Sequence, residues 1–147
     1  GFPVSKILEL SPIVRRMLNE RFDFVHPEDA SIRNVSHVMW CGAPTHPEAD
    51  RKNAVFFGDR GIDRSPCGTG TSARMAQLVA KGELACGSKF VHESIIGSLF
   101  TGHVESLAKA GGFNAIIPSI EGTAHVTGFN TLFVNDSDPY RNGFQVI

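Results

Sequence analysis

Two stretches of the sequence carry apolar residues at the spacing of a helix that buries one face. In the first, a Ser-Pro pair precedes apolar residues three and four positions apart, and the stretch ends near Arg21. Serine is a common N-cap and proline a common first helical residue, so the pattern predicts a helix from Ser11 to Arg21. The second predicted helix runs from Thr71 to Lys81, and Gly82 follows as a typical helix end.

Short apolar runs at strand spacing occupy most of the remaining sequence, and loops that contain proline separate several of them. The predicted strands are residues 31–40, 53–58, 90–97, 99–107, 115–118, 124–129 and 131–134. Two short helices among many short strands predict the α+β class. A chain of 147 residues is long enough for one domain, spanning 1–147, with a buried core.

The composition describes an ordinary globular protein and excludes several classes. Hydrophobic residues make up 41% of the chain, charged residues 20%, and the net charge is −1. Because there is no basic stripe, nucleic acid is not expected as a partner. The apolar runs are far too short to cross a membrane, and residues 1–6 lack the pattern of a signal peptide. The expected location is therefore the cytoplasm.

The three cysteines form no CxxC pair. An odd number without that spacing favours neither a disulfide framework nor a zinc site, and it fits a reducing compartment. Cys41 and Cys86 lie beside predicted turns, and both are interpreted as structural.

Cys67 differs, because it stands where a glycine-rich loop turns into the second helix; from Asp63 the sequence reads DRSPCGTGT. Unpaired N–H groups and the partial positive charge of a helix N-terminus favour thiolate over thiol. Gly68 and Gly70 leave room for a small anion near the Thr69 amide. Asp63 offers an acceptor for a substrate nitrogen. The loop predicts a reactive thiol beside a site for a small amino acid; the alternative is an inert cysteine in a glycine-rich turn.

This run resembles the second catalytic motif of the proline racemase family, and the flanking sequence agrees over nearly the whole chain. Within the family, residues 74–78 and 92–100 most resemble the bacterial enzymes that epimerise 4-hydroxyproline. The resemblance implies an isomerase that uses no pyridoxal phosphate, no metal and no other cofactor. Two cysteines face opposite sides of the substrate α-carbon; one removes a proton and the other delivers one.

Carried over to this sequence, the resemblance implies a role for each residue of the motif. Cys67 is one of the two acid/base groups, and Asp63 binds the nitrogen of a proline or hydroxyproline substrate. The amides of Gly68 and Thr69 bind its carboxylate. The implied fold is one lobe of a two-lobe, diaminopimelate-epimerase-like α+β structure with the substrate in the cleft.

The resemblance covers only the C-terminal half of a full-length family member. A first catalytic loop of Met-Cys-Gly-His type has no counterpart in this sequence. We therefore expect the chain alone to be inactive and the missing N-terminal half to be its partner. The last ~20 residues are expected to pack on that half, because chain ends are ordered only where they are held in place. A homodimer is a further possible assembly.

His37 and Phe57 complete the set of candidate site residues. His37 lies on the strand predicted before the Cys67 loop and is a candidate for the wall of the cleft. Phe57 is a candidate wall against the substrate ring. The ordinary alternatives are a satisfied or surface histidine, which also applies to His92, and a core phenylalanine.

Other functions stay open from the residues alone. A proline racemase and a 3-hydroxyproline dehydratase are alternatives within the family, although the dehydratases typically carry Thr where Cys67 stands. A non-catalytic module that binds an amino acid or carboxylate is the alternative from another class. A cysteine hydrolase is disfavoured, because no His with Asn or Asp is placed to support it.

Overall fold

A computed structural model describes residues 3–145, so the first two and last two residues of the predicted unit 1–147 lie outside it. The elements in chain order are α1 Val4–Arg21, β1 Val38–Gly42, β2 Arg51–Phe57, β3 Gly61–Ile62, α2 Gly68–Ala80, β4 Lys89–Glu93, β5 Leu99–Ala110 and β6 Phe113–Gly122. The strands form one mixed sheet in the order β1-β2-β4-β5-β6, with β3 paired to β2. The predicted α+β class is confirmed.

The sheet is antiparallel at each described pairing except that of β2 with β4, which is parallel. Parallel neighbours need a crossover connection, and α2 lies within it. The connection therefore brings the chain from β3, through the Cys67 loop and α2, back to the sheet at β4. This topology sets the loop beside the strands that line it.

Strand β2 is buried on both faces and separates two hydrophobic cores. Successive side chains of a strand point to opposite faces. Ala54 and Phe56 therefore face α1, where they cluster with Ile7. Asn53 and Val55 face the opposite side, towards the Cys67 loop. The two faces of one strand thus serve a purely structural core and the candidate site.

Helix α1 begins at Val4, so the predicted start at Ser11 is wrong. Pro12 lies inside the helix, where a proline typically costs about 3 kcal/mol. Ser11 is completely buried, and its hydroxyl accepts a 2.8 Å hydrogen bond from Trp40 Nε1 instead of capping the helix. Burial of Ile7 and this bond offset the loss at the proline.

The predicted strand at residues 31–40 is wrong for most of its length, since only its last residues belong to β1. Asn19 of α1 accounts for the difference. Its side chain donates to Val35 O at 2.9 Å and accepts from Val35 N at 2.7 Å, so this backbone is satisfied by the helix and not by a neighbouring strand. The strand predicted at 90–97 ends earlier, at Glu93, where Ser94 N donates to Ser98 O in a turn.

The predicted strands at 124–129 and 131–134 are also wrong in this structure, because both segments are irregular. They pair with no other strand among residues 3–145, and their backbone is exposed to solvent. Large apolar side chains in this part of the chain lie in solvent; Phe129 is 97% exposed and Phe133 91%. The apolar side chains whose pattern suggested strands are therefore not buried against the rest of the described chain.

Helix α2 begins at Gly68, three residues before the predicted start, and packs on the sheet through Met75 and Leu78. Gly102 of β5 permits this contact, because a Cβ atom there would lie 2.6 Å from the sulfur of Met75. Among residues 3–145, no helix is long and apolar enough to cross a membrane.

Candidate active site

Cys67 is the N-cap residue of α2 and has a backbone conformation that residues with a Cβ atom rarely adopt. Its φ is 63° and its ψ 111°. The Sγ atom accepts a hydrogen bond from Gly70 N at 3.3 Å and lies 3.6 Å from the Thr69 hydroxyl. The thiol is half-buried and free. An amide donor aimed at sulfur stabilises the thiolate form, which is the nucleophilic and basic form.

Two amides at the start of α2 are available to an anion. Within residues 3–145, the N–H groups of Gly68 and Thr69 have no hydrogen-bond acceptor, as is usual for the first turn of a helix. A Cβ atom at Gly68 would meet nothing within 4 Å, so no described residue covers the side-chain position of this glycine. Gly70 has a different role, since a Cβ there would lie 2.5 Å from Met39 Cε and 3.1 Å from Cys67 Sγ.

The thiol opens into a surface depression of about 520 Å³ between α2, β1 and β2. Cys41, which was interpreted as structural, also lines it; burial raises the pKa of its thiol, and Arg74 partly opposes the effect. Arg74 binds Gln77, and its buried Nε has no partner among the described residues. The lining residues are His37, Met39, Cys41, Val55, Cys67, Thr69, Gly70, Ala73, Arg74 and Gln77.

Asp63 lies at the start of the loop, and one of its oxygens already has a partner. Oδ1 accepts from Ser65 N at 2.8 Å, and Ser65 Oγ accepts from Cys67 N at 3.1 Å. The other oxygen of Asp63 has no partner within the described part of the chain. Asp63 therefore braces the loop with one oxygen, and it is not among the residues that line the depression.

His37 and Phe57 lie together, but only His37 lines the depression. Their rings are stacked, with centroids 6.2 Å apart, and Nδ1 of His37 lies 2.8 Å from the Ser36 hydroxyl. Phe57 is 43% exposed, so it is not the core phenylalanine of the ordinary alternative. Here Phe57 supports the histidine from behind.

A buried polar network lies beneath the loop. Asn53 Nδ2 and Thr71 Oγ1 both donate to the carbonyl oxygen of Pro66, at 2.8 Å and 3.1 Å. The ring of His92 joins the two donors, since its Nδ1 lies 3.0 Å from Thr71 Oγ1 and its Nε2 lies 3.0 Å from Asn53 Nδ2. Each of these side chains is at least 99% buried.

The hydrogen-bond pattern assigns the protonation state of His92. Asn53 Nδ2 lies near both ring nitrogens, 2.9 Å from Nδ1 and 3.0 Å from Nε2. Because the Thr71 hydroxyl donates to Pro66, we infer the tautomer in which Nδ1 carries the proton and donates to Thr71, and Nε2 accepts from Asn53. Burial, and to a smaller extent the nearby guanidinium of Arg74, lower the pKa of His92 to about 4. His92 is therefore a neutral, buried histidine at physiological pH.

Glu93, the next residue, fixes the loop that follows β1. Burial raises the pKa of its carboxyl, but hydrogen bonds from Lys52, Thr45 and the His46 amide dominate and bring it to about 2. Lys52 Nζ lies 2.7 Å from Oε1, and the amides of Thr45 and His46 lie 2.6 Å and 2.9 Å from Oε2. Among residues 3–145, no cluster of His, Cys, Asp or Glu could hold a metal ion.

Sequence reasoning missed the supporting residues of the site. Asn53 drew no attention, because an isolated polar residue in an apolar run carries no motif, and Thr71 was noted only as the end of the loop motif and the start of the predicted helix. The signal for Asn53 was its position inside a short buried strand, where a polar side chain needs partners. His92 stood in a similar run and was treated only as an ordinary strand histidine. Position 74 was noted within the range that carries the family resemblance, and the structure shows Arg74 lining the depression.

Comparison with known proteins gives a consistent result. The family model described as proline racemase matches residues 3–145. The chain is 60% identical over 142 residues to a probable 4-hydroxyproline 2-epimerase of Rhizobium meliloti, covering 97% of this chain and 43% of that protein. It is 57% identical over 145 residues to a 4-hydroxyproline epimerase of Brucella ovis, covering 99% and 44%. The chain thus spans less than half the length of these relatives.

Two solved structures share the fold. One is a hydroxyproline epimerase from Agrobacterium vitis with bound trans-4-OH-L-proline; its TM-score is 0.79 and its identity 31%, over 99% of this chain and 43% of that protein. The other is a probable proline racemase from Agrobacterium radiobacter with bound carbonate, with the same score and identity, over 96% and 41%. The predicted diaminopimelate-epimerase-like α+β fold is confirmed by this likeness.

We expect Cys67 to be alkylated faster than Cys41 and Cys86. Only Cys67 has an amide donor at its sulfur and a helix N-terminus beside it, whereas burial raises the pKa of Cys41. Iodoacetamide labelling of the folded chain at pH 7, followed by peptide mapping over time, measures all three rates. Cys86 is the exposed control. Equal rates for Cys67 and Cys86 would contradict the prediction.

We expect the chain to lose stability as the pH falls from about 6.5 towards 4. The unfolded chain takes up a proton at His92 in this range, whereas the folded chain, with a His92 pKa of about 4, does not. Between pH 7 and pH 5 this difference removes about 2 kcal/mol of unfolding free energy. Glu93 contributes below pH 4.5, so pH 5 separates the two groups.

Urea denaturation at pH 7 and pH 5 measures this loss, with His92→Gln and the exposed His125→Gln as a matched pair. The comparison uses the difference between the two pH values, so a constant destabilisation in either variant cancels. His92→Gln should lose most of the pH dependence, and His125→Gln should keep it. The same pH dependence in His92→Gln as in the wild type would show that His92 is not its source.

Proposed function

The chain belongs to the proline racemase family, and we propose that it is the C-terminal half of a cofactor-independent epimerase that inverts the α-carbon of 4-hydroxyproline. The observation that carries the proposal is the position of Cys67: a free, half-buried thiol at a helix N-terminus with two unpartnered amides beside it. The relatives named as 4-hydroxyproline epimerases support this substrate. Proline itself is the alternative.

In the proposed complex, the amides of Gly68 and Thr69 bind the substrate carboxylate. They combine unpaired N–H groups with the positive end of α2, which is the usual arrangement for a small anion. The open space at Gly68 lets the carboxylate reach them. Asp63 uses its unpartnered oxygen to bind the substrate nitrogen. His37, with Phe57 behind it, forms the wall of the depression on the β1 side.

The proposed reaction moves one proton to the sulfur and a different proton to carbon. The Cys67 thiolate removes the α-proton and becomes a thiol, while the electron pair of the C–H bond delocalises into the carboxylate. The two amides stabilise the charge that develops on the carboxylate oxygens. A second cysteine, supplied by the N-terminal half, then protonates the opposite face of the α-carbon. The reverse direction exchanges the roles of the two sulfurs.

The C-terminal segment supports the N-terminal half as the partner. Its apolar side chains are as exposed as those of an unfolded chain, and a globular protein rarely leaves so many uncovered. The exposed residues after β6 are Val126, Phe129, Leu132, Phe133, Val134, Tyr140 and Phe144. We propose that they pack on the half of the enzyme that corresponds to the remaining length of the relatives. A homodimer and a cytoplasmic location stay predictions.

We expect the 147-residue chain not to invert 4-hydroxyproline, and a chimera with the N-terminal half of the Rhizobium meliloti relative to do so. One thiol can take and return a proton on only one face of the α-carbon, so inversion needs the second half. Chiral chromatography of the product, together with deuterium incorporation at the α-carbon in heavy water, measures the reaction.

In the chimera, Cys67→Ser should abolish most of the inversion, whereas the matched variant Cys86→Ser should retain it. Circular dichroism of each variant checks that it is folded. Inversion by the 147-residue chain alone would overturn the two-half mechanism and direct attention to Cys41 as the second group. A folded chimera in which Cys67→Ser remains fully active would exclude Cys67 as an acid/base.

We expect Asp63→Asn in the same chimera to lower kcat/KM about ten- to a hundredfold. The substitution puts an NH2 group where the unpartnered carboxylate oxygen stood, so a charge-assisted hydrogen bond to the substrate nitrogen, worth about 1.5–3 kcal/mol, is lost. The amide oxygen of Asn still accepts from Ser65 N, so the loop should keep its shape. Asp59→Asn, on the exposed turn after β2, serves as the control. Unchanged kcat/KM in Asp63→Asn would remove Asp63 from the site.

A further inference from the structure

We propose that Asn53, His92 and Thr71 form a positioning device that holds Cys67 in its reactive conformation. None of the three touches the depression into which the thiol opens, so they act through the loop and not on a ligand. The consequence for turnover rests on the function proposed above. The device itself is argued from the geometry beneath the loop.

The device acts on the carbonyl of Pro66, the residue immediately before Cys67. Two donors converge on this oxygen, Asn53 Nδ2 from the sheet and Thr71 Oγ1 from α2. The proline ring fixes its own φ, so anchoring its carbonyl fixes the peptide plane that leads into Cys67. These two hydrogen bonds thereby fix the direction in which the Cys67 side chain leaves the backbone.

Cys67 needs this constraint because its φ of 63° is unfavourable for a residue with a Cβ atom. Such conformations persist only where the surroundings enforce them. A relaxed loop would return φ to negative values and move Sγ away from Gly70 N, which now lies at 3.3 Å. The thiolate would then lose its amide donor. Anchoring at Pro66 and stabilisation of the sulfur are therefore linked.

His92 connects Asn53 and Thr71, the two residues that donate to the Pro66 carbonyl. It accepts from Asn53 and donates to Thr71, and so connects β2, β4 and α2, three elements that are distant in sequence. This role requires a neutral ring, because a protonated Nε2 would face the Asn53 amide as a second donor. Phe90 packs against the ring at 5.1 Å, and Arg74 is the charged group that acts on it from α2.

The test compares Thr71→Val, which keeps the shape but removes the hydroxyl, with Thr71→Ser, which keeps the hydroxyl. The rate of iodoacetamide alkylation of Cys67 is measured from pH 5 to pH 10 in the 147-residue chain. Thr71→Val should slow alkylation at pH 7 about three- to tenfold, the equivalent of one lost hydrogen bond, and move the pH profile of the rate upwards. Thr71→Ser should restore both.

Thr101→Val, a substitution on β5 outside the network, is the matched control and should leave the rate and profile unchanged. The titratable or charged groups that line the depression with the thiol, His37, Cys41 and Arg74, are the same in all variants, as is Asp63 at the start of the loop. Circular dichroism of each variant reports on unfolding, which would also remove the amide donor from Cys67, whereas Cys86 is exposed in the folded chain already. Equal profiles for Thr71→Val and wild type would overturn the proposal, as would a serine variant as slow as the valine variant.

A measurement on the wild-type chain keeps the proposal testable if Thr71→Val fails to fold. Nitrogen-15 NMR of the histidine rings should show His92 neutral, with its proton on Nδ1, from pH 5 to pH 7. A proton on Nε2 or a charged ring would overturn the network. Neither measurement involves turnover, so a chimera that fails to epimerise would contradict the proposed function and leave this inference standing.

Discussion

Burial of both faces of β2 is the constraint on which the rest of the structure depends. Four consecutive residues, from Asn53 to Phe56, are buried, so α1 must cover one face and the Cys67 loop with α2 the other. Apolar side chains satisfy the α1 face at no polar cost. The opposite face includes an asparagine, whose burial is tolerated only because the loop supplies a carbonyl acceptor and His92 a second one.

The parallel pairing of β2 with β4 brings the residues beneath the Cys67 loop together. Arg51 pairs with His92, so the histidine lies beside the strand that carries Asn53. The crossover between the two strands contains α2, and the N-terminus of that helix must return over the same face. A helix N-terminus, a buried neutral histidine and an asparagine therefore meet beneath one loop. The chain needs no metal ligand or disulfide to bring them together.

The predictions from sequence were correct for a feature that depends on neighbouring residues. They were wrong where contacts between residues distant in the chain determine the local structure. The turn into α2 at Cys67 follows from neighbouring residues, and the structure has it there. Ser11 looked like a cap, but Trp40, far along the chain, gives it a partner inside a longer helix. Val35 was predicted in a strand, because the sequence does not show that the side chain of Asn19 hydrogen-bonds to its backbone. The segments after Gly122 kept a strand pattern without a partner to pair with.

Three features around Cys67 cost stability. Cys67 holds a conformation that a glycine would adopt more easily, at a cost on the order of 1–3 kcal/mol. Asn53 leaves Oδ1 buried without a partner among the described residues, and His92 must stay neutral below its usual pKa. Selection for stability alone would place glycine at position 67 and apolar residues at the buried positions 53 and 92. Three separate costs in stability thus surround a single thiol. This pattern is expected where the sequence maintains the conformation at the sulfur and not the packing of the core.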